Sequence, residues 1–299
     1  MELRNLRALV EVARQGGFSQ AARTLFLSQP SVSKAVRQLE EELDTELFVR
    51  LGEGARLTEA GELVMARAVA MLAEAEHMRA ELAEMRGLFT GKLRLGLPIF
   101  GSARLFAPLF ATFRGRYPGV EIELLERGSV RLEEAVLAGE VELGVSLLPV
   151  ADAFDVQPVC NDPLMALLWA DHPLRDRERL RLAALEPSPF ILFDHGFALN
   201  PRIEAACRAR GFAPQVSARS SQMDFILALV ASGMGVALVP RIMTEGRRLA
   251  PVRAVLLDET DLRWRAALVW RKGAKLSPPA RAWLALTRET FPQEGVGRE

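Results

Sequence analysis

GGFSQAARTLFLSQPSVSKAVRQLE, residues Gly16–Glu40, decides how the first part of this chain folds. It reads as two short helices joined by a tight turn, the first from about Ser19 to Leu25 and the second from about Gln29 to Leu43. A serine hydroxyl can satisfy one of the orphan amides at a helix start, so Ser19 and Ser28 are the expected caps. Pro30 falls in the first turn of the second helix, where its missing N–H costs nothing. Ala21, Ala22 and Leu25 share the inner face of the first helix, and Val32, Val36 and Leu39 that of the second. Gln29, Ser31, Ser33, Lys34 and Arg37 are left outward. Glutamine and serine can hydrogen-bond base edges while lysine and arginine hold phosphates, so this helix suits the major groove of DNA.

Charge supplies the context that a bare pair of helices lacks. From Met1 to Leu39 the basic residues Arg4, Arg7, Arg14, Arg23, Lys34 and Arg37 face only Glu2 and Glu11. Acids crowd in immediately afterwards, at Glu40, Glu41, Glu42, Asp44 and Glu46. The whole chain is neutral, with 38 basic and 38 acidic residues in 299, so the local separation carries the argument. Phosphate binding needs a basic face rather than a basic protein.

A third helix begins at Thr58, whose hydroxyl can cap it, with Glu59 suited to the positive end of the helix dipole. From there to about Arg86 the chain is rich in Ala, Leu, Met and Glu and has no proline. Heptads place Gly61, Ala68, Ala75 and Leu82 at one core position and Val64, Met71, Met78 and Met85 at the other. Small residues opposite flexible thioethers make a seam for a second helix. Pairing two copies would let two recognition helices read two half-sites. Gly87 and Gly91 then make a plausible hinge.

From Lys92 the pattern changes to alternating strands and helices. Leu93, Leu95 and Leu97 mark a strand, and Phe106, Leu109, Phe110 and Phe113 the apolar face of the helix after it. Strands at Val120–Leu125 and Leu143–Leu148 flank a helix at Leu132–Leu137, a parallel, doubly wound arrangement. A second unit runs through strand Phe190–Phe193, helix Leu199–Arg210, strand Val216–Ser220, helix Met223–Ala231 and strand Val236–Val239. The expectation is two α/β lobes joined by crossover strands near Val159–Leu168 and Arg263–Val269, with the helix from Pro278 to Phe291 returning to the first lobe. Ligands of such sheets bind beyond the strands' carboxyl ends, beside helix N-termini. Those ends carry Gly101-Ser102, Gly128-Ser129 and Ser220-Ser221, whose amides and hydroxyls suit a carboxylate, with Ser146 on the third strand. Ile99, Phe100, Leu147 and Phe193 supply apolar neighbours.

Other chemistry is thin. Cys160 and Cys207 form no CxxC pair, and His77, His172 and His195 are scattered, with His77 expected on the surface of the long helix. No nucleophile elbow or glycine-rich phosphate loop appears, so neither enzyme activity, metal nor cofactor is expected. No run of eighteen apolar residues suggests a membrane span, the charged start MELRNLR is no signal peptide, and few cysteines agree with a reducing, cytoplasmic setting.

The run GGFSQAARTLFLSQPSVSKAVRQLEEELDTELFVR, followed by RLTEAG at Arg56–Gly61, resembles the N-terminal domain of LysR-type transcriptional regulators. The resemblance implies a winged helix-turn-helix over residues 1–58, a linker and dimerisation helix over 59–90, and an effector domain over 91–299. That domain would be α/β and two-lobed, like type 2 periplasmic binding proteins, with lobe I at about 91–161 and 268–299 and lobe II at about 162–267. Carried over by position, Gln29, Pro30, Ser31, Ser33, Lys34 and Arg37 become recognition-helix contacts, with Ser19, Gln20 and Ser28 beside them. Leu47–Leu57 becomes the wing, with Arg50 and Arg56 on backbone or minor groove. Glu53 stands where the wing tip of the family commonly carries a basic residue.

In family members that bind carboxylates, residues matching Ser102 and Ser129 line the effector site, and the segment Phe197–Asn200, including Leu199, belongs to it by the same matching. The implied partners are double-stranded DNA bearing an interrupted inverted repeat, a small effector, other copies in a dimer of dimers, and RNA polymerase. The segments LPIFGSARLFAPLF and SSQMDFILALVASGMGVALVPR look like the CidR branch of this family, which implies a monocarboxylate such as acetate. The rival reading is a cytoplasmic two-lobed ligand sensor whose helical head binds a protein partner instead of DNA.

Overall fold

The computed structural model describes residues 1–51, 54–86, 89–99 and 101–291. The chain divides into two compact units, one of Met1–Gly91 with Ala138–Glu140, the other of Lys92–Leu137 and the described residues from Val141 on. In the first unit, α1 (Leu3–Gln15), α2 (Phe18–Thr24) and α3 (Gln29–Leu43) precede a hairpin of β1 (Phe48–Leu51) and β2 (Gly54–Leu57), and the long α4 (Glu59–Met85) follows. Its core is Leu6, Leu9 and Val12 of α1, Ala21 and Ala22 of α2, Val32, Val36 and Leu39 of α3, with Leu47 and Phe48. These are the inward positions that helical periodicity assigns to α2 and α3.

The first helix of the pair starts one residue earlier than expected, so Ser19 is not its cap. Gly17 holds the cap position without a side-chain bond, and Ser19 is the second helical residue. Phe18 sets that start by packing edge-on against Phe48, ring centroids 5.6 Å apart. At α3 the expected cap is present: Ser28 Oγ accepts the Ser31 amide at 3.3 Å. Glu40 has a role beyond charge, since its Oε1 accepts the Leu47 and Phe48 amides at 2.9 and 3.3 Å and ties the end of α3 to the wing.

Thr58 caps α4 by accepting the Gly61 amide at 2.9 Å, and its hydroxyl donates to the Glu46 carbonyl at 2.8 Å. Gly61 lies so close to the Leu47 backbone that a Cβ there would stand 2.1 Å from the Leu47 carbonyl oxygen. Besides Gly61, two of the expected seam positions belong to this unit's own core. Ala68 is fully buried in it and Val64 packs against it. A straight α-helix drifts by about 20° per heptad, so the face that starts against the domain rotates away from it further along. Met71, Met78, Leu82 and Met85 are exposed, and Ala75 is half-buried. His77 is buried rather than on the surface, on the helix face that also carries Val69 and Ala80.

The second unit is built on β3 (Gly91–Pro98), α5 (Ser102–Arg116), β4 (Val120–Arg127), α6 (Ser129–Leu137), β5 (Leu143–Leu147) and the fifteen-residue β6 (Phe154–Leu168). There follow β7 (Arg179–Leu180), β8 (Phe190–Phe193), α7 (Leu199–Ala209), β9 (Val216–Ser220), α8 (Met223–Ala231), β10 (Val236–Pro240), β11 (Arg253–Leu257), β12 (Arg263–Arg271) and α9 (Pro278–Thr290). Strand order is β4-β3-β5-β12-β6-β10-β8-β9, with β11 paired to β6 and β7. β6 serves both lobes: Phe154–Pro163 pairs with β12, and Leu164–Leu168 with β10 and β11.

The sheet is mixed rather than uniformly parallel. β3 and β5 pair in parallel, as do β8 with β9 and with β10, but β12 runs antiparallel to both β5 and β6. β12 therefore lies wholly within the first lobe, and the second crossing falls in the short connection after β11. β11 and β12 both run antiparallel to β6, so the chain returns to the first lobe without reversing direction. α9 does return to the first lobe, where Trp283 packs against Phe110 and Phe113 of α5 at 4.7 and 5.3 Å.

Candidate nucleic-acid interface and effector cavity

α3 presents its polar side at one end of the first unit. Gln29, Pro30, Ser31, Lys34 and Arg37 are exposed and Ser33 is half-buried. Gln29, Ser33 and Arg37 are spaced four apart, as are Pro30 and Lys34, so all five share one helical face. Ser28 and Ser31 also bond each other, Oγ to Oγ at 2.7 Å, and so are partly committed to the cap. Ser19, Gln20 and Arg56 are exposed on α2 and β2. The wing is held to the helices by the Ala55 amide, which donates to the Gly16 carbonyl at 2.9 Å. The side chain of Arg50 and residue Glu53 lie outside the described residues.

In the second unit the expected effector residues fall around two separate spaces. One is a partly open cavity of about 30 Å³, room for about two waters, lined by Ser129, Ser146, Phe193, Phe197 and Leu199 among others. The other is an open cleft of about 960 Å³ that Ile99, Gly101 and Ser221 line. Its charged groups are already matched, Arg104 with Glu245 at 3.6 Å and Arg247 with Asp224 at 2.7 Å. Phe100 and the side chain of Ser102 lie outside the described residues.

Three expected contacts turn out to be used by the fold. Asn200 is buried with its amide fully engaged: Oδ1 accepts the Phe193 amide at 3.1 Å, and Nδ2 donates to the carbonyls of Phe193 and Asp194 at 2.9 and 3.0 Å. It shapes the loop that bears Phe197 without facing either space. Ser220 Oγ accepts the Gln222 amide at 3.0 Å and closes the turn into α8. Gly128 is where the lobes touch, since a Cβ there would lie 2.7 Å from the Gly196 carbonyl oxygen.

Sequence reasoning missed Trp264 and Met243, which complete the cavity wall from the far end of the chain. It also missed Arg202. From α7 in the second lobe its guanidinium donates to the carbonyls of Leu147 at 2.8 Å and Pro149 at 3.2 Å, and to that of Leu148, in the first lobe. Burial, reinforced by nearby Arg265, holds the guanidinium below the ordinary arginine value. Ser146 Oγ donates to Glu133 of α6. Cys207 is buried and Cys160 half-buried, and burial pushes both thiols up to about 11. Such thiols carry little thiolate at neutral pH, which disfavours redox sensing.

Comparison with known families places both units. Residues 3–62 match the bacterial regulatory helix-turn-helix protein, lysR family, and residues 86–292 match the LysR substrate binding domain. The chain belongs to the LysR family. It is 35% identical over 289 residues to the uncharacterized HTH-type transcriptional regulator YwbI of Bacillus subtilis, covering 96% of each chain. Full-length OxyR from Pseudomonas aeruginosa, solved as a cysteine-to-aspartate variant, superposes with a TM-score of 0.78 at 24% identity, covering 99% of both chains. CbnR, solved in complex with its target DNA, superposes at 0.67 with 21% identity, covering 97% of this chain and 100% of that one. This LysR-type protein is thus a DNA-binding transcriptional regulator with a two-lobed effector domain. The rival reading, a head that binds protein in place of DNA, finds no support in that membership. Among the described residues no helix is long and apolar enough to cross a membrane.

Proposed function

We propose that this regulator reads an interrupted inverted repeat through α3 and the wing of two paired copies, and that a small monocarboxylate such as acetate biases its grip. The observation that carries the effector reading is the small cavity, where the buried Ser129 sits within a shell of Phe193, Phe197, Leu199 and Trp264, while Ser146 on its wall already donates to Glu133. Ser129 opens α6, so a carboxylate there would meet the positive end of a helix as well as a hydroxyl. Arg202 bonds the carbonyl of Leu147, a cavity-lining residue, and adds a cation close to the wall. A space of about 30 Å³ favours the smallest carboxylates.

The clasp of Arg202 on the first lobe, with Gly128 against Gly196, sets how readily the lobes part. A ligand shifts that equilibrium only by its difference in affinity between the two arrangements. Bending a site of twenty to thirty base pairs costs on the order of 1–6 kcal/mol, within reach of such a difference. Further elements of the reading are a dimer of dimers, contact with RNA polymerase, a cytoplasmic location beside the chromosome, and no catalytic turnover. The likeness to regulators supports them.

Acetate is expected to raise the unfolding temperature and shift DNA binding, whereas benzoate, too large for the cavity, does neither. Ser129→Ala should weaken acetate binding about tenfold or more, the size of a lost hydrogen bond to a charged group. Thermal unfolding and DNA titration at saturating acetate check both. Unchanged unfolding and unchanged DNA affinity would remove the carboxylate and leave the regulator.

The DNA contacts separate by chemistry. Gln29→Ala should flatten preference among sequences while keeping most of the salt dependence, because it removes base readout. Lys34→Ala or Arg37→Ala should weaken binding to all sequences and lower the slope of log K against log salt by about one. A uniform loss from Gln29→Ala would contradict its role.

A further inference from the structure

The turn between α2 and α3 holds the most exposed large apolar side chain among the described residues. Phe26 is 95% exposed, and its backbone sits at φ +55°, in the left-handed region. Among the described residues the other non-glycine residue there is Asp44 at φ +48°, where α3 ends, and a short polar side chain tolerates that conformation far better than an aromatic one. Backbone bonds close the turn by themselves: the Phe26 amide donates to the Arg23 carbonyl at 3.2 Å and the Leu27 amide to the Ala22 carbonyl at 2.9 Å. The ring is therefore held in water, on strained backbone, by a turn that asparagine or glycine would satisfy better. Strain kept without a structural return points to function.

Its place in the chain says which function. Phe26 stands two residues before the Ser28 cap and three before Gln29, at the N-terminal end of α3. That is the end by which a recognition helix reaches base edges. The ring carries no charge or hydrogen-bonding group, so it cannot hold a phosphate oxygen. What it can match in the major groove is the C5-methyl of thymine, the one apolar feature that base edges present there.

We propose that Phe26 is a specificity-determining residue that packs its ring against a thymine methyl beside the bases read by Gln29. This rests on the docking of α3 proposed above. The test selects DNA from a randomised pool with the wild-type protein. It then measures binding of wild type, Phe26→Asn and Gln29→Ala to that DNA and to a copy in which deoxyuridine replaces every thymidine.

Phe26→Asn should unfold at the same temperature or higher, because asparagine accepts the left-handed backbone. It should bind the selected DNA about tenfold more weakly, the scale of one mismatched base pair, with an unchanged salt slope. Removing the methyls should cost the wild type more than it costs the variant. The proposal is overturned if Phe26→Asn lowers the unfolding temperature, if it leaves affinity unchanged, or if deoxyuridine costs both proteins equally. Should Gln29→Ala also leave binding and preference untouched, the docking of α3 is what fails. If Gln29→Ala acts and Phe26→Asn does not, only this inference falls.

Discussion

Aspartate at both Met71 and Met78 is expected to halve the mass of the assembling unit and to weaken binding to an inverted repeat about a hundredfold or more. The two side chains are 44% and 56% exposed in the single chain, and Met85, one heptad on, is 84% exposed. Together with Leu82 they form an apolar line on a helix whose other face is committed to its own domain from Gly61 to Val69. Methionine suits such a line because its unbranched thioether adapts to whatever faces it. Two copies joined there present two recognition helices as one ligand for DNA, and linking two sites multiplies affinity by about 10²–10⁴ without a new contact. Aspartates buried in the seam would lose their hydration without gaining a partner. Sedimentation and DNA titration read the two effects. An unchanged mass with unchanged affinity would show that the linker helices do not pair along this line.

Gly61→Ala should do comparable damage from inside the domain. The added methyl would meet the Leu47 carbonyl oxygen at 2.1 Å, and that atom is backbone that also accepts the Thr58 amide at 3.0 Å. Neither partner can rotate away, so α4 must lift from the wing or the wing must shift. Overpacking of this kind costs about 1–3 kcal/mol or more. For a unit of this size that is roughly 10 °C of thermal stability, and the displaced wing should take DNA affinity with it. Gly16→Ala is the contrast: at φ +69° it is strained, but nothing lies within 4 Å of the new methyl. Thermal unfolding of the two variants should rank Gly61→Ala as much the worse, and equal unfolding temperatures would contradict the packing described here.

The first unit was the more legible in sequence because its signals are local. Ser28 as a cap, Pro30 in the first turn and the spacing of Val32, Val36 and Leu39 are settled within one helix. The start of α2 was misread because Phe18 is anchored by Phe48, thirty residues away, and nothing near Ser19 shows it. Ala68 looked like a seam residue because heptad spacing cannot tell a partner's helix from the domain's own α1. The role of Glu40 was hidden for the same reason, since its bonds run to Leu47 and Phe48 and its sequence context shows only charge.

The effector unit was legible as strands and helices, but its direction of pairing was not. β12 carries the same alternation whether it runs parallel or antiparallel, and only its return from the second lobe decides. The cavity was half visible. Ser129 and Phe193 follow from the rule that ligands sit beyond strand ends, and Ser146 joins them on the third strand. Trp264 and Met243 reach the cavity through the crossing of the chain, and Arg202 acts across lobes from the middle of a helix. Asn200 was the opposite case, a polar residue in the right segment whose every hydrogen bond is spent on the loop itself.

The measurement that bears most directly on the central claim is binding of the full-length protein to its own upstream DNA against scrambled DNA, titrated with salt and with acetate. The expected result is selective binding that falls steeply with salt and shifts when acetate is added. Equal, weak binding to both DNAs, unmoved by acetate, would contradict it.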